Sequence, residues 1–165
     1  VAVLMLTEVD YKTGRLYDMK ALTEKAHKKG ILTIWDLAHS AGALPVDLGA
    51  CQADFAVGCG YKYLTGGPGA PAFLYVRPDH ADRVQPALSG WMGHEAPFDF
   101  VLDYAPAQGV DRMRVGTPPI STRMQLADFQ NLWLFRRWNI PPVSMAMMNL
   151  ALVSNLKCST ELGIV

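Results

Sequence analysis

Three cysteines in 165 residues, Cys51, Cys59 and Cys158, are too few and too unevenly spaced for a disulfide framework or a thiolate metal site. The odd, sparse count fits a reducing compartment, and a cytoplasmic location is the expectation. Neither sign of charge is in excess, with Lys+Arg at 15 and Asp+Glu at 15, which removes the footprint of a nucleic-acid or anionic-membrane binder. Long apolar runs are missing too. The longest, near residues 143–153, falls short of the roughly 20 residues that span a bilayer. No secretory leader pattern is visible. The glycine-rich run at 66–69 lacks the Gly-Lys-Ser/Thr ending of a nucleotide loop and reads as a turn. An initiator methionine is also lacking, and the sequence opens inside an apolar run; it reads as a piece of a longer protein.

What is present suits a globular protein with a real core: 50% of residues are hydrophobic and 18% charged. Residues 1–6 form a continuous apolar run, as expected for a strand buried on both faces. A polar connection containing Thr13-Gly14 follows. Asp18 is placed to cap a helix whose apolar face is Met19, Leu22 and Ala26, and Lys28, Lys29 and Gly30 close it. Residues 31–37 are the next strand, so the strand–helix–strand order predicts a parallel crossover. Two more short strands are expected at 54–58 and 72–76, with residues 66–71 turning the chain between them. A helix is expected from Pro78-Asp79, with Arg83 and Val84 inside it. Residues 89–119 read as loop. His27 and His80 are expected on the surface.

After Ile120 the character changes. Thirteen of the fourteen glycines and all four histidines precede it, whereas four of the eight methionines follow. Leu126, Phe129 and Trp133 could line a helix face, which Pro141-Pro142 would break; Met145, Met147 and Met148 read as core filler. Residues 121–165 receive no role.

Chemistry is concentrated in two words. Asp36 ends the second apolar strand in Trp35-Asp36-Leu37-Ala38-His39-Ser40-Ala41-Gly42. Lys62 follows the third in Gly60-Tyr61-Lys62-Tyr63-Leu64, ahead of Gly66-Gly67-Pro68-Gly69. Taken singly, Asp36 would be a turn cap, Lys62 a solvated lysine, His39 a core histidine and Tyr61 a buried ring with a bonded hydroxyl. Taken together they suit pyridoxal phosphate. A lysine amine can hold the aldehyde, and a carboxylate can keep the pyridine nitrogen protonated so that the ring withdraws electrons. Ligands of open α/β sheets bind at the carboxyl ends of the strands, where all four residues can converge.

These words, with Ser89-Gly90-Trp91-Met92-Gly93-His94 and Arg114-Val115-Gly116-Thr117-Pro118-Pro119-Ile120, resemble the kynureninase family. The resemblance runs from residue 1 to about 120. The Asp-x-x-His and lysine elements are shared more widely among class V aminotransferase-like enzymes. The resemblance implies an α/β fold, the large domain of a fold-type I pyridoxal-phosphate enzyme with a parallel or mixed sheet flanked by helices, present here only in part. Residues 1–120 would belong to that domain, and residues 121–165 match no part of the family.

It also implies roles. Lys62 would carry the cofactor as a Schiff base, Asp36 would pair with the pyridine nitrogen, and His39 would bind or orient the cofactor. Tyr61 would contact the phosphate and is a candidate proton donor to the substrate's β-carbon. Trp91 and Thr117 would reach the cofactor of a neighbouring subunit, so the active unit would be a homodimer. The implied reaction, in tryptophan catabolism, is hydrolysis of L-kynurenine or its 3-hydroxy form to anthranilate or 3-hydroxyanthranilate and L-alanine. Two other expectations stand beside it. One is a different class V enzyme, a cysteine desulfurase or an aminotransferase, although Cys51 and Cys59 look like core or loop residues and not a mobile nucleophile. The other is a catalytically silent fragment, because the family's phosphate-binding loop and the arginine that receives the substrate carboxylate are not found in these residues.

Overall fold

A computed structural model describes residues 1–117 and the backbone of residues 145–148. Five strands form one mixed sheet in the order β1-β2-β3-β4-β5: β1 (Val3–Thr7), β2 (Leu32–Asp36), β3 (Phe55–Cys59), β4 (Ala72–Val76) and β5 (Met145–Met148). The first three run parallel, whereas β4 and β5 each pair antiparallel with the preceding strand. The expected parallel or mixed sheet is therefore present. β5 extends it from a stretch to which the sequence assigned no role. The expectations for Leu126, Phe129, Trp133 and the Pro141-Pro142 break lie outside the described residues, as do the side chains of Met145, Met147 and Met148.

Among the described residues β3 and β4 are covered on both faces, which suits their apolar runs, whereas β1, expected to be buried on both faces, is only half-buried with Met5 exposed, and β2 buries alternate residues. Side chains alternate across a strand. Trp35, Ala56, Phe73 and Tyr75 enter one core cluster with Met19, Leu37 and Leu48. Phe55, Val57, Leu74 and Val76 enter the other with Val84, Val110 and Met113. The Phe73 ring lies against Gly58 of β3, where an added Cβ would overlap it.

Helix α1 (Met19–His27) connects β1 to β2. Asp18 caps it as expected, its Oδ1 accepting from Ala21 N at 2.9 Å. Gly30 takes φ +67 just beyond the end, a conformation that costs glycine least. The helix is pinned to the sheet by Trp35, whose Nε1 donates to Thr23 Oγ1 at 3.0 Å with both side chains buried. Helix α2 (Pro78–Ala81) is shorter than the sequence suggests. Arg83 N and Val84 N both donate to His80 O, so the chain turns there and Val84 drops into the second core cluster.

The histidines expected on the surface are recruited by a buried carboxylate. Asp54 is fully buried at the start of β3. His27 Nε2 reaches its Oδ2 at 2.7 Å, His80 Nε2 its Oδ1 at 2.9 Å, and Arg77 Nη1 the same Oδ1 at 3.0 Å. Thr33 adds its backbone N–H and its hydroxyl at 2.8 and 3.0 Å. Burial alone would raise the Asp54 carboxyl; the His27, His80, Thr33 and Arg77 contacts outweigh it and hold it below the usual range. His80 is buried and stacks on Phe55, while His27 keeps part of its ring in solvent. Among the described residues no helix is long and apolar enough to cross a membrane.

Candidate active site

Parallel pairing puts the carboxyl ends of β1, β2 and β3 on one edge of the sheet, opposite Asp54. At that edge Asp36 stands level with Thr7 of β1 and Val57 of β3. Leu37 N continues the ladder to Val57 O at 2.8 Å. Asp36 Oδ1 then accepts from Ala38 N at 2.8 Å, an Asx turn that bends the chain away from the sheet. Ser40 N donates to Leu37 O, and the amides of Ala43 and Leu44 donate to Ser40 O, so residues 37–44 form a compact turn with His39 on it. Among the described residues no ion pair involves Asp36.

The loop after β3 closes on itself through Gly66 N to Gly60 O and Thr65 N to Lys62 O, each 2.9 Å. It meets the Asp36–His39 turn at Gly42. That residue has φ +91, and a Cβ there would lie 2.9 Å from Leu64 N and 2.6 Å from the Tyr63 carbonyl carbon. Only glycine permits so close an approach.

The approach brings Lys62 to His39, with Nζ 3.0 Å from Nε2. A lysine ammonium has only donors, so His39 Nε2 is the acceptor and its ring proton sits on Nδ1. Lys62 is half-buried, and its Nζ is 5.6 Å from the centre of the Tyr61 ring, which is 47% exposed. Asp36 at the end of β2, His39 on the turn after it, and Tyr61 and Lys62 on the loop after β3 thus share one edge, with Lys62 bonded to His39 and beside the Tyr61 ring.

Tyr11 is an addition that the sequence reading missed. Its ring stacks on His39 with centroids 6.0 Å apart and planes at 30°. Asp10 shapes the loop that presents it, accepting from Lys12 N and Thr13 N at 2.8 Å each. The Thr13 amide first, then that of Lys12, lowers the Asp10 carboxyl below its ordinary range. The Asp-x-x-Thr-Gly order was the available signal: it marks an aspartate-nucleated turn, but not where the intervening tyrosine points.

Trp91 and Thr117 lie in a separate, loop-rich region. Trp91 opens a 3₁₀ turn (Trp91–Gly93), and Met92 N donates to Val115 O at 3.4 Å. An added Cβ at Gly90 would overlap the Val115 carbonyl, so the segments carrying Trp91 and Thr117 pack backbone to backbone. Trp91 is 45% exposed, meets Phe98 edge to face at 5.7 Å, and lines a hollow of about 260 Å³ with His94, Phe100, Leu102 and Tyr104. No hydrogen bond or ring contact among the described residues joins Trp91 to Asp36, His39 or Lys62. His94 has both ring nitrogens engaged within its own loop, by Asp103 O and Ala96 N.

Neither described cysteine is placed as an exposed nucleophile. Cys59 is buried, and burial, then the charge of Asp47, pushes the Cys51 thiol up from its ordinary value. Among the described residues no cluster of three histidine, cysteine or carboxylate side chains is placed to hold a metal.

Known proteins share this fold and family. The family model for aminotransferase class-V matches residues 1–134. A kynureninase of Deinococcus radiodurans is 63% identical over 120 residues, which are 73% of this chain and 29% of that protein. A kynureninase of Pseudomonas fluorescens is 54% identical over 121 residues, with the same two coverages. The chain therefore spans 29% of the length of the curated relatives it matches. A cysteine desulfurase from Thermococcus onnurineus superposes with a TM-score of 0.65 at 28% identity, covering 81% of this chain and 32% of that one. A cysteine desulfurase of Escherichia coli gives the same TM-score at 24% identity, covering 79% and 32%, and shares the fold. A family model covering residues 1–134, and a sheet that carries its polar loops on one edge, make the chain a member of the aminotransferase class-V family.

Proposed function

We propose that the protein of which this chain forms part is a kynureninase, hydrolysing L-kynurenine or its 3-hydroxy form to anthranilate or 3-hydroxyanthranilate and L-alanine with pyridoxal phosphate, in the cytoplasm. One observation carries the reading: a half-buried lysine amine is hydrogen-bonded to His39 on the same sheet edge as an aspartate with no cationic partner among the described residues. The 63% identity to a kynureninase supports it. Residues 1–120 are read as part of the cofactor-binding large domain.

The donor set fits the cofactor. Lys62 offers the amine that would hold the aldehyde, and Asp36 offers a carboxylate, bonded among the described residues only within its own turn, for a protonated ring nitrogen. Bound pyridoxal phosphate would supply the electron sink for charge at the substrate's α-carbon. The chain's own residues do the rest. His39 holds Lys62 in one rotamer, and Tyr11 fixes the plane of the His39 ring. Tyr61, beside Lys62 and open to solvent, is assigned a contact with the cofactor phosphate and the proton delivered to the β-carbon. Trp91 and Thr117 are assigned to the cofactor of a partner subunit in a homodimer. The close packing of the Gly90 and Val115 backbones, which brings the segments carrying both together, and the lack, among the described residues, of a hydrogen bond or ring contact from Trp91 to Asp36, His39 or Lys62 support that assignment.

The test is borohydride reduction of the protein with pyridoxal phosphate, peptide mapping, and product analysis with kynurenine and with cysteine. A pyridoxyl adduct confined to Lys62 and release of anthranilate are expected. Scattered lysine labelling would overturn the site. Sulfur release from cysteine without anthranilate would leave the site and overturn the substrate, in favour of a desulfurase.

A further inference from the structure

Exposed aromatic and apolar side chains gather in two places. The first is the loop after the Trp91 turn. Phe98, Phe100 and Leu102 are 68%, 83% and 104% exposed there, with Val101, Tyr104 and Trp91 beside them. Phe100 takes φ +50, a conformation unfavourable for a bulky residue. The second place is the rim of the candidate site, where Tyr11 is 80% exposed and Tyr61 and Tyr63 are about half exposed. Exposed aromatics gathered in this way mark contact surfaces. Among the described residues no hydrogen bond, ion pair or ring contact joins one surface to the other, so neither covers the other within one chain.

The two surfaces differ in charge. Residues 95–104 carry Glu95, Asp99 and Asp103 and no lysine or arginine. All three are exposed, and none forms an ion pair among the described residues. Residues 11–15 and 61–65 carry Lys12, Arg15 and Lys62 and no carboxylate. Lys12 and Arg15 are likewise exposed and without an ion pair among the described residues. The neighbouring Asp10 carboxylate is already engaged by the amides of Lys12 and Thr13. An acidic apolar loop and a basic aromatic rim are therefore complementary in both respects.

A second copy of the chain carries the matching surface. A two-fold axis brings the loop of each copy to the rim of the other, so the same contact is made twice. We propose that residues 95–104 dock on a second copy, with Phe98, Phe100 and Leu102 against its tyrosine rim around Lys62 and with Asp99 and Asp103 facing its Lys12 and Arg15. The docked loop covers the Lys62 amine and keeps water from it, so each site is complete only in the pair. This deepens the homodimer proposed above and rests on that reading for the partner's identity. Trp91, assigned there to the partner's cofactor, is continuous with the loop and places it beside the same site.

The experiment uses the complete protein with the photo-cross-linker benzoylphenylalanine in place of Leu102. Light and heavy nitrogen-labelled forms are mixed, allowed to exchange subunits, irradiated and mapped by peptide mass. Cross-links to peptides holding residues 11–15 or 61–65 are expected, about half of them joining light to heavy. A cross-link within one chain never mixes labels. Unmixed products alone would therefore overturn the proposal, as would mixed products confined to other surfaces, or no cross-link to protein. Asp99→Lys with Asp103→Lys, and separately Lys12→Asp with Arg15→Asp, should each raise the dimer dissociation constant at least about tenfold in sedimentation; all four together should restore most of the affinity. Unchanged association in either pair, or no recovery in the combination, would overturn the charge match. A protein that cross-links as expected but does not capture pyridoxal phosphate on Lys62 would sink the proposed function and leave the interface. Capture on Lys62 with cross-links confined to one chain would do the reverse.

Discussion

Lys62 Nζ lies 3.0 Å from His39 Nε2, across 23 residues of sequence and between two different loops. Replacing His39 by alanine leaves the lysine without its acceptor and frees its rotamers. A hydrogen bond of this kind contributes about 0.5–1.5 kcal/mol, so borohydride labelling of Lys62 by limiting pyridoxal phosphate should fall roughly three- to tenfold in His39→Ala. Lys62→Ala should abolish labelling at that peptide. Unchanged labelling kinetics in His39→Ala would show that the histidine does not hold the amine.

Gly42 sets the distance between those loops. Alanine there meets both an unfavourable φ of +91 and the Tyr63–Leu64 peptide. Backbone strain of this type costs about 1–3 kcal/mol, so Gly42→Ala should lower the unfolding temperature and slow Lys62 labelling together. A variant that loses stability but labels normally would separate the packing of the loops from the placement of Lys62.

The Asp54 network makes stability pH-dependent in a defined sense. Its folded carboxyl titrates below its unfolded value. The stabilisation is therefore complete above the unfolded value, about 3.9, and is lost as pH falls through the folded value beneath it. Asp54→Asn removes the charge that His27, His80 and Arg77 surround, and should cost about 3–5 kcal/mol near neutral pH, with less difference from wild type in acid. Denaturant unfolding across that pH range measures both; a gap that widens in acid would contradict the network.

Cys51 offers a check on the alternative chemistry. Its raised thiol should alkylate more slowly than a free cysteine at mildly alkaline pH, because the thiolate is the reactive form. Fast modification by iodoacetamide that tracks loss of sulfur transfer from cysteine would return the desulfurase reading to contention.

The homodimer assignment predicts complementation. Lys62→Ala and Trp91→Ala subunits, each inactive, should regain roughly a quarter of wild-type activity when mixed and allowed to exchange, since half the dimers are mixed and each holds one intact site. No recovery would place Trp91 in its own subunit's site.

Much of this was legible because it is local. Asp18 announces α1, and Gly30 its end, within a few residues of each other. The words around Asp36 and Lys62 lie at strand ends that apolar runs already mark. What could not be read depends on where loops meet. The His39–Lys62 bond exists because Gly42 admits Tyr63, and Tyr11 reaches His39 only through the Asp10 turn. His27 and His80 look like surface residues in a string of polar neighbours. Their partner Asp54 lies 27 and 26 residues away, and only the fold shows that it is buried. α2 stops at Ala81 because Val84 is worth more in the core than in another helical turn, which is a tertiary preference that helix propensity does not carry.

The reversal at β4 has an outcome for kinetics. Because β4 runs back along β3, Arg77 arrives at the starting edge of the sheet and joins Asp54, about 10 Å of strand from Asp36. The groups whose charges hold the fold together and those assigned to the reaction are therefore different groups on different edges. A rate profile against acidity should report the chemistry alone wherever the protein remains folded, and an acid limb in the rate that coincides with unfolding can be recognised by its loss in Asp54→Asn.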